Sequence, residues 1–123
     1  MTMSGTAAGD PHSLDRMFHA LSDPQRRGMI DQLSRGAASV KDLAAPYAMG
    51  LPSAVKHLKV LEDGGLVESE KSGRVRTYRI KAGALDRIER WVDERKRQLD
   101  GQFDRLEAYL VAAKDRKIPG GGA

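Results

Sequence analysis

Cysteine is missing altogether from the 123 residues. That one absence excludes disulfides, thiolate metal centres and thiol redox switches, and it suits a reducing compartment. No stretch approaches the ~20 consecutive apolar residues that a membrane helix needs. The opening segment, Met1–Pro11, lacks the basic and apolar regions of a signal peptide. The expectation is a cytoplasmic protein with no membrane partner. Catalytic signatures are missing as well: there is no G-x-S-x-G elbow, no phosphate-binding glycine loop, no H-E-x-x-H and no persuasive Ser, His and Asp set. Neither an enzyme nor a cofactor is expected. Histidine is scarce, occurring at His12, His19 and His57. Asp10 beside His12 offers two metal donors in a loose tail, a poor cage, so no metal site is assigned.

What remains is ordinary globular composition, 40% hydrophobic and 31% charged. Lys and Arg number 21 against 17 Asp and Glu, a net charge of +4. So mild an excess permits a nucleic-acid partner without requiring one, and the placement of the charge decides. Residues 1–12 and 114–123, the latter ending Pro-Gly-Gly-Gly-Ala, read as flexible tails around one folded stretch, 13–113.

Within that stretch Ser13 caps a first helix with Leu14, Met17 or Phe18, and Leu21 along its apolar side. Asp23 followed by Pro24 is a start signal for a second helix, with Met29, Ile30 and Leu33 inward and Gly36 beyond its end. Ser39 with Asp42 opens a short third helix carrying Val40, Leu43 and Ala44. A tight turn at Met49-Gly50-Leu51 leads through Pro52 into a fourth helix to Asp63. Its core face is Ala54, Leu58 and Leu61, and Lys56 and Lys59 fall off that face. Gly64-Gly65 supplies a left-handed cap.

From Leu66 the period becomes two: Leu66–Lys71 and Val75–Ile80 flank Ser72-Gly73-Arg74, a β-hairpin pattern. From Ala84 a helical stripe returns, Leu85, Ile88, Val92, Leu99, Phe103, Leu106 and Leu110, with Arg95 in one expected apolar place. The fold class is therefore mainly α with a small β-hairpin: a winged helix-turn-helix followed by a long C-terminal helix. That helix outruns a small domain, so its stripe is expected to meet another chain.

The same residues resemble the ArsR-type family of repressors. Gly50-Leu51-Pro52-Ser53-Ala54-Val55-Lys56-His57-Leu58-Lys59-Val60-Leu61-Glu62-Asp63-Gly64-Gly65-Leu66-Val67 is similar to their recognition helix and first wing strand. Gly73-Arg74-Val75-Arg76-Thr77-Tyr78-Arg79 resembles their wing, and Leu21-Ser22-Asp23-Pro24-Gln25-Arg26-Arg27 the link between their first two helices. Arg105-Leu106-Glu107-Ala108-Tyr109-Leu110 resembles a helix ending of one subgroup. The similarity spans about residues 14–111. It implies a homodimer joined by its first and last helices, about 13–21 and 84–113, and repression by occupancy of a roughly palindromic operator in double-stranded DNA. Half-sites would lie ~10 bp apart. Two departures stand out. The third-helix region has no thiol and the last helix no histidine, where family members that sense metals place their ligands. Gly50 stands where the family usually has a Ser or Thr cap.

Site residues follow. Ser53, Lys56 and Lys59 are placed on the groove-facing side of the fourth helix, reaching base edges or phosphates. His57 borders the core positions and reads two ways, as a phosphate donor or as a packed helix-edge histidine. The segment from Lys71 to Lys81 holds five basic residues and no acid. Lys71, Arg74 and Arg76 are its candidates for phosphate or minor-groove contact, although charge also protects an edge strand. Leu14, Phe18, Leu99, Phe103, Leu106 and Leu110 are the candidate dimer-interface residues; Trp91 and Tyr109 read as packing residues. Regulation would come from moving the two reading units relative to each other or from autorepression, and the residues name no effector. A winged helix serving as a protein–protein module, or one binding RNA, fits the same pattern.

Overall fold

The computed structural model describes the backbone of residues 11–122 and the side chains of residues 11–114. Most of the N-terminal tail, with Asp10, lies outside the described residues. The elements run α1 (Ser13–Leu21), α2 (Pro24–Leu33), β1 (Ala38–Ser39), α3 (Val40–Ala44), a 3₁₀ turn (Ala45–Tyr47), α4 (Leu51–Asp63), β2 (Val67–Ser72), β3 (Val75–Ile80) and α5 (Asp86–Gly122). They divide after Arg87 into two units, the winged helix and the long helix.

In the first unit the core is made of Met17 and Ala20 from α1, Met29 and Leu33 from α2, Leu43 and Ala44 from α3, and Ala54, Leu58 and Leu61 from α4. Val67 and Tyr78 close it from the sheet, with Leu66 just before β2. Burying a side chain such as Met29, Leu43 or Leu58 contributes about 1.5–3 kcal/mol. The i, i+4, i+7 spacing of Ala54, Leu58 and Leu61 thus does what it implies, fixing which side of α4 turns inward. In α1 the buried pair is Met17 and Ala20, and Phe18 stays 40% exposed.

The ends of the helices follow local chemistry. Asp23 caps α2, its carboxylate accepting from the Arg26 backbone N–H at 2.9 Å, with Pro24 in the first turn. The Ser39 hydroxyl accepts from the Asp42 N–H at 3.2 Å to cap α3. Ser13, expected as the cap of α1, is instead its first helical residue. His12 holds the cap position without a side-chain cap bond, and Asp15 supplies the favourable negative charge of the first turn. Gly50 caps α4 with extended backbone and no side-chain bond, as a glycine must.

At the other end of α4, Leu66 N–H bonds Leu61 C=O and Gly65 N–H bonds Glu62 C=O. This is a Schellman closure, which needs a left-handed residue. Gly65 provides it at φ +75°. Gly64 has a different task, since a Cβ there would lie 3.1 Å from both the Ala20 Cβ and the Arg16 carbonyl. Its bare backbone lets α1 approach the end of α4.

The sheet has three strands rather than a hairpin alone, in the order β1-β3-β2, all antiparallel. Ala38 pairs with Tyr78 and Ser39 with Thr77. Two residues carry too little periodicity to read as a strand; β1 exists because β3 offers an edge. In the hairpin Ser72 pairs with Val75, which leaves Gly73-Arg74 as a two-residue turn. Gly73 takes φ +62° at its first position, the place where tight hairpins favour glycine.

In the second unit α5 is a single helix, and it continues through residues 114–122, where composition suggests a tail. The tail reading rests on the lack of apolar side chains to bury. Extending an existing helix needs no new nucleus, although Pro119 donates no backbone N–H to it. Along α5, Leu99, Phe103, Leu106 and Leu110 are 50–63% exposed. Arg95, which interrupts the apolar stripe, sets its guanidinium 4.9 Å from the Trp91 ring centroid, a cation–π contact one helical turn long.

Candidate nucleic-acid interface

With Ala54, Leu58 and Leu61 buried, the rest of α4 is turned out. Leu51, Pro52, Ser53, Val55, Lys56 and Lys59 are all exposed. Ser53 and Lys56 stand in the first two turns, where the helix dipole and unpaired N–H groups favour an anion. Lys59 lies 3.7 Å from Asp63, both well exposed. A surface pair of this kind contributes little and yields readily to a phosphate.

His57 resolves differently. It is half-buried: Nδ1 sits 3.3 Å from Arg26 Nη1, which donates to it, and Nε2 sits 3.2 Å from Gln25 Oε1. Asp23 lies 4.0 Å from Nδ1. Both ring nitrogens are thus engaged within the fold. The reason is the second helix, whose N-terminal turn brings Asp23, Gln25 and Arg26 against α4. Arg26 also donates from Nε to the Ala20 carbonyl at 2.7 Å and from Nη2 to the His19 carbonyl at 3.0 Å. Arg27 donates to the Leu21 carbonyl at 2.6 Å. These carbonyls lie in the last turn of α1, where His19 also accepts from the Ser22 backbone N–H and hydroxyl, so Arg26 ties α1, α2 and α4 together. The bonded Arg26 N–H holds the Asp23 carboxyl below its ordinary value against the opposing effect of burial, with the Arg26 charge adding to the lowering.

The hairpin carries the second basic surface. Arg74 is exposed at the turn, and Lys71 and Arg76 are opposite each other across the strands and exposed. Arg79 is not part of this surface in charge. Glu68, its cross-strand neighbour, lies 3.1 Å from its Nε, and Glu70 3.9 Å from Nη2. The run of basic residues along one strand conceals these acids because they come from the other strand. Arg76 has a further partner: it donates to the Ser69 hydroxyl at 2.9 Å, which donates to Glu62 of α4 at 3.1 Å. Arg76, Ser69 and Glu62 therefore link wing to helix. Nearby, burial pushes the Tyr78 phenol up, and the charge of Glu62 adds to it.

Sequence reasoning finds the outward residues of α4 and the hairpin but misses Arg26, Gln25 and Ser69. Their signal is weak, since partners 7 to 32 positions away leave no mark in local spacing. Of the apolar candidates, Leu14 is half-buried and Phe18 exposed on α1, while Leu99, Phe103, Leu106 and Leu110 are exposed on α5. Among the described residues no three His, Cys, Asp or Glu side chains gather to hold a metal, and no helix is long and apolar enough to cross a membrane.

A helix-turn-helix domain family model matches residues 21–70. The chain is 35% identical over 68 residues to the HTH-type transcriptional regulator Rv2034 of Mycobacterium tuberculosis, covering 55% of this chain and 64% of that one, just under two thirds of its length. It is 32% identical over 80 residues to the arsenical resistance operon repressor of Staphylococcus xylosus, covering 65% and 77%. The crystal structure of the ArsR family transcriptional regulator RHA00566 matches at TM-score 0.69 and 42% identity, covering 72% of this chain and 97% of that one. The solution structure of the homodimeric winged helix-turn-helix DNA-binding domain Mb0332 from Mycobacterium bovis, a possible ArsR-family regulator, matches at TM-score 0.57 and 27% identity, covering 84% and 93%.

Proposed function

Because this chain belongs to the ArsR family of transcriptional regulators, we propose that it is a homodimeric, sequence-specific DNA-binding repressor that occupies a palindromic operator, and not an enzyme. The observation that carries the reading is the outward face of α4, with Ser53, Lys56 and Lys59 exposed on a helix anchored by Ala54, Leu58 and Leu61. A helix so anchored presents its N-terminal turns to the major groove, where side chains meet base edges. Lys71, Arg74 and Arg76 of the hairpin act on the backbone, adding affinity without sequence information. His57 supports α4 from behind through Arg26 and Gln25.

Operator geometry and apolar area both support a second copy. One α4 reads one half-site, and a palindrome needs two, ~10 bp apart. Leu99, Phe103, Leu106 and Leu110, each at least half exposed, are the surface on α5 that a second copy covers, with Leu14 and Phe18 contributing from α1. Bound to its own promoter, such a protein limits its own synthesis as its concentration rises. Its place of action is the cytoplasm, where a bacterial chromosome lies.

Selection of duplexes from a random pool tests the reading. A repressor enriches a pseudo-palindrome and prefers it to scrambled DNA and to duplex RNA, whose narrow major groove does not admit a helix. Equal affinity for scrambled DNA, as a protein–protein module would show, refutes it, as does preference for RNA.

A further inference from the structure

The outward face of α4 carries more than lysines. Val55 is 46% exposed and Leu51, one turn earlier, 52%. With Lys59 they make an i, i+4, i+8 row along the helix. Glu62, at the far end of that row, is held by the Ser69 hydroxyl, so the end of the row open to a ligand is the N-terminal one, bearing Leu51 and Val55. An apolar side chain on a helix flanked by Lys56 and Lys59 cannot hydrogen-bond a base edge. The floor of the major groove offers one apolar group, the 5-methyl of thymine. Lys59, toward phosphate, and Lys56, toward a base edge, bring the duplex to this face, and the methyl matches what Val55 presents.

We infer that Val55, with Leu51 beside it, is a specificity-determining residue that reads a thymine methyl in each operator half-site. This rests on the operator reading above and adds the chemistry of one recognised group. Val55 packs its two methyls against the thymine methyl, excluding water from all three. Lys56 and Lys59 hold the register on either side. An A·T pair is thereby preferred at one fixed position in each half-site, in one orientation, because only thymine carries the methyl.

The test changes the DNA and leaves the protein intact. From the duplex enriched by the full-length chain, each thymine is replaced in turn by deoxyuridine, which removes the methyl and keeps every hydrogen bond. Wild-type protein should lose about fourfold in affinity at one position per half-site, the effect of one buried methyl-sized group, and roughly the square of that when both half-sites are changed. Val55→Ala, at an exposed site, should bind the thymine duplex several-fold more weakly and respond less than twofold to the same replacement. Uracil that is silent at every position overturns the inference while leaving the operator reading intact. Persistence of full uracil sensitivity in Val55→Ala overturns it too. A protein without preference for any duplex over scrambled DNA removes both readings together.

Discussion

Placing charge on the α5 stripe should separate two copies without unfolding either. Leu99 and Leu106 lie two turns apart on one side of the helix and are 50% and 52% exposed, so about half of each side chain remains for a partner to cover. Full burial of a leucine contributes about 1.5–3 kcal/mol; half of that, at two positions in two copies, is roughly 3–6 kcal/mol. Leu99→Glu/Leu106→Glu should therefore weaken self-association by at least a hundredfold, and the carboxylates add a desolvation penalty. Both sites are solvent-facing, so the winged-helix unit should keep its helical circular dichroism. Sedimentation equilibrium at micromolar concentration should show a dimeric wild type and a monomeric variant. The variant has one α4 and should fall to nonspecific affinity for the operator. A wild type that is monomeric yet binds operator tightly would refute the reasoning, and so would a variant that stays dimeric.

Other consequences concern the groups that hold α4 and the wing. A Cβ at Gly28 would overlap the Tyr47 hydroxyl and lie 2.8 Å from ring carbon Cζ. Gly28→Ala should thus lower stability by about 1–3 kcal/mol despite its better helix propensity, with part recovered in Gly28→Ala/Tyr47→Phe, as read by urea denaturation. Asp23 has its carboxyl held low by the Arg26 N–H, so its contribution is present in full above the ordinary aspartate value and is lost as acidification below about pH 4 carries it through its depressed native value. Asp23→Ala should cost about 1 kcal/mol at pH 7 and shrink that acid-dependent loss, measured by thermal melts between pH 7 and pH 3. Arg76→Ala should weaken specific and nonspecific DNA alike and flatten the salt dependence by about one unit for a lost phosphate contact, whereas Lys56→Ala should lose on the order of 1–3 kcal/mol on the operator alone.

Much of this architecture was legible in local chemistry. Asp23-Pro24 and Ser39 announce their helices because a cap acts within three residues of itself. Gly65 marks the end of α4 because a Schellman closure needs positive φ. The outward position of Lys56 follows from the spacing of Ala54, Leu58 and Leu61. What escaped the sequence depends on distant partners. The strand Ala38–Ser39 exists through pairing with Thr77 and Tyr78, and the engagement of His57 depends on Gln25 and Arg26 some thirty positions away. Arg79 counts as one more basic wing residue until the antiparallel register sets Glu68 opposite it. The missed side chains are those whose role is to fasten one element to another.

The most direct measurement is the affinity of the wild-type protein and of Lys56→Ala for the duplex enriched from a random pool, each against a scrambled duplex of equal length and at equal salt. If α4 reads the operator, wild type should prefer the enriched duplex by about a thousandfold or more, within the range of specific regulators. Lys56→Ala should lose ~10-fold or more of that preference while its binding to scrambled DNA barely changes. Equal affinity of the wild type for both duplexes, or a preference that Lys56→Ala leaves untouched, would contradict the assignment of this face to DNA.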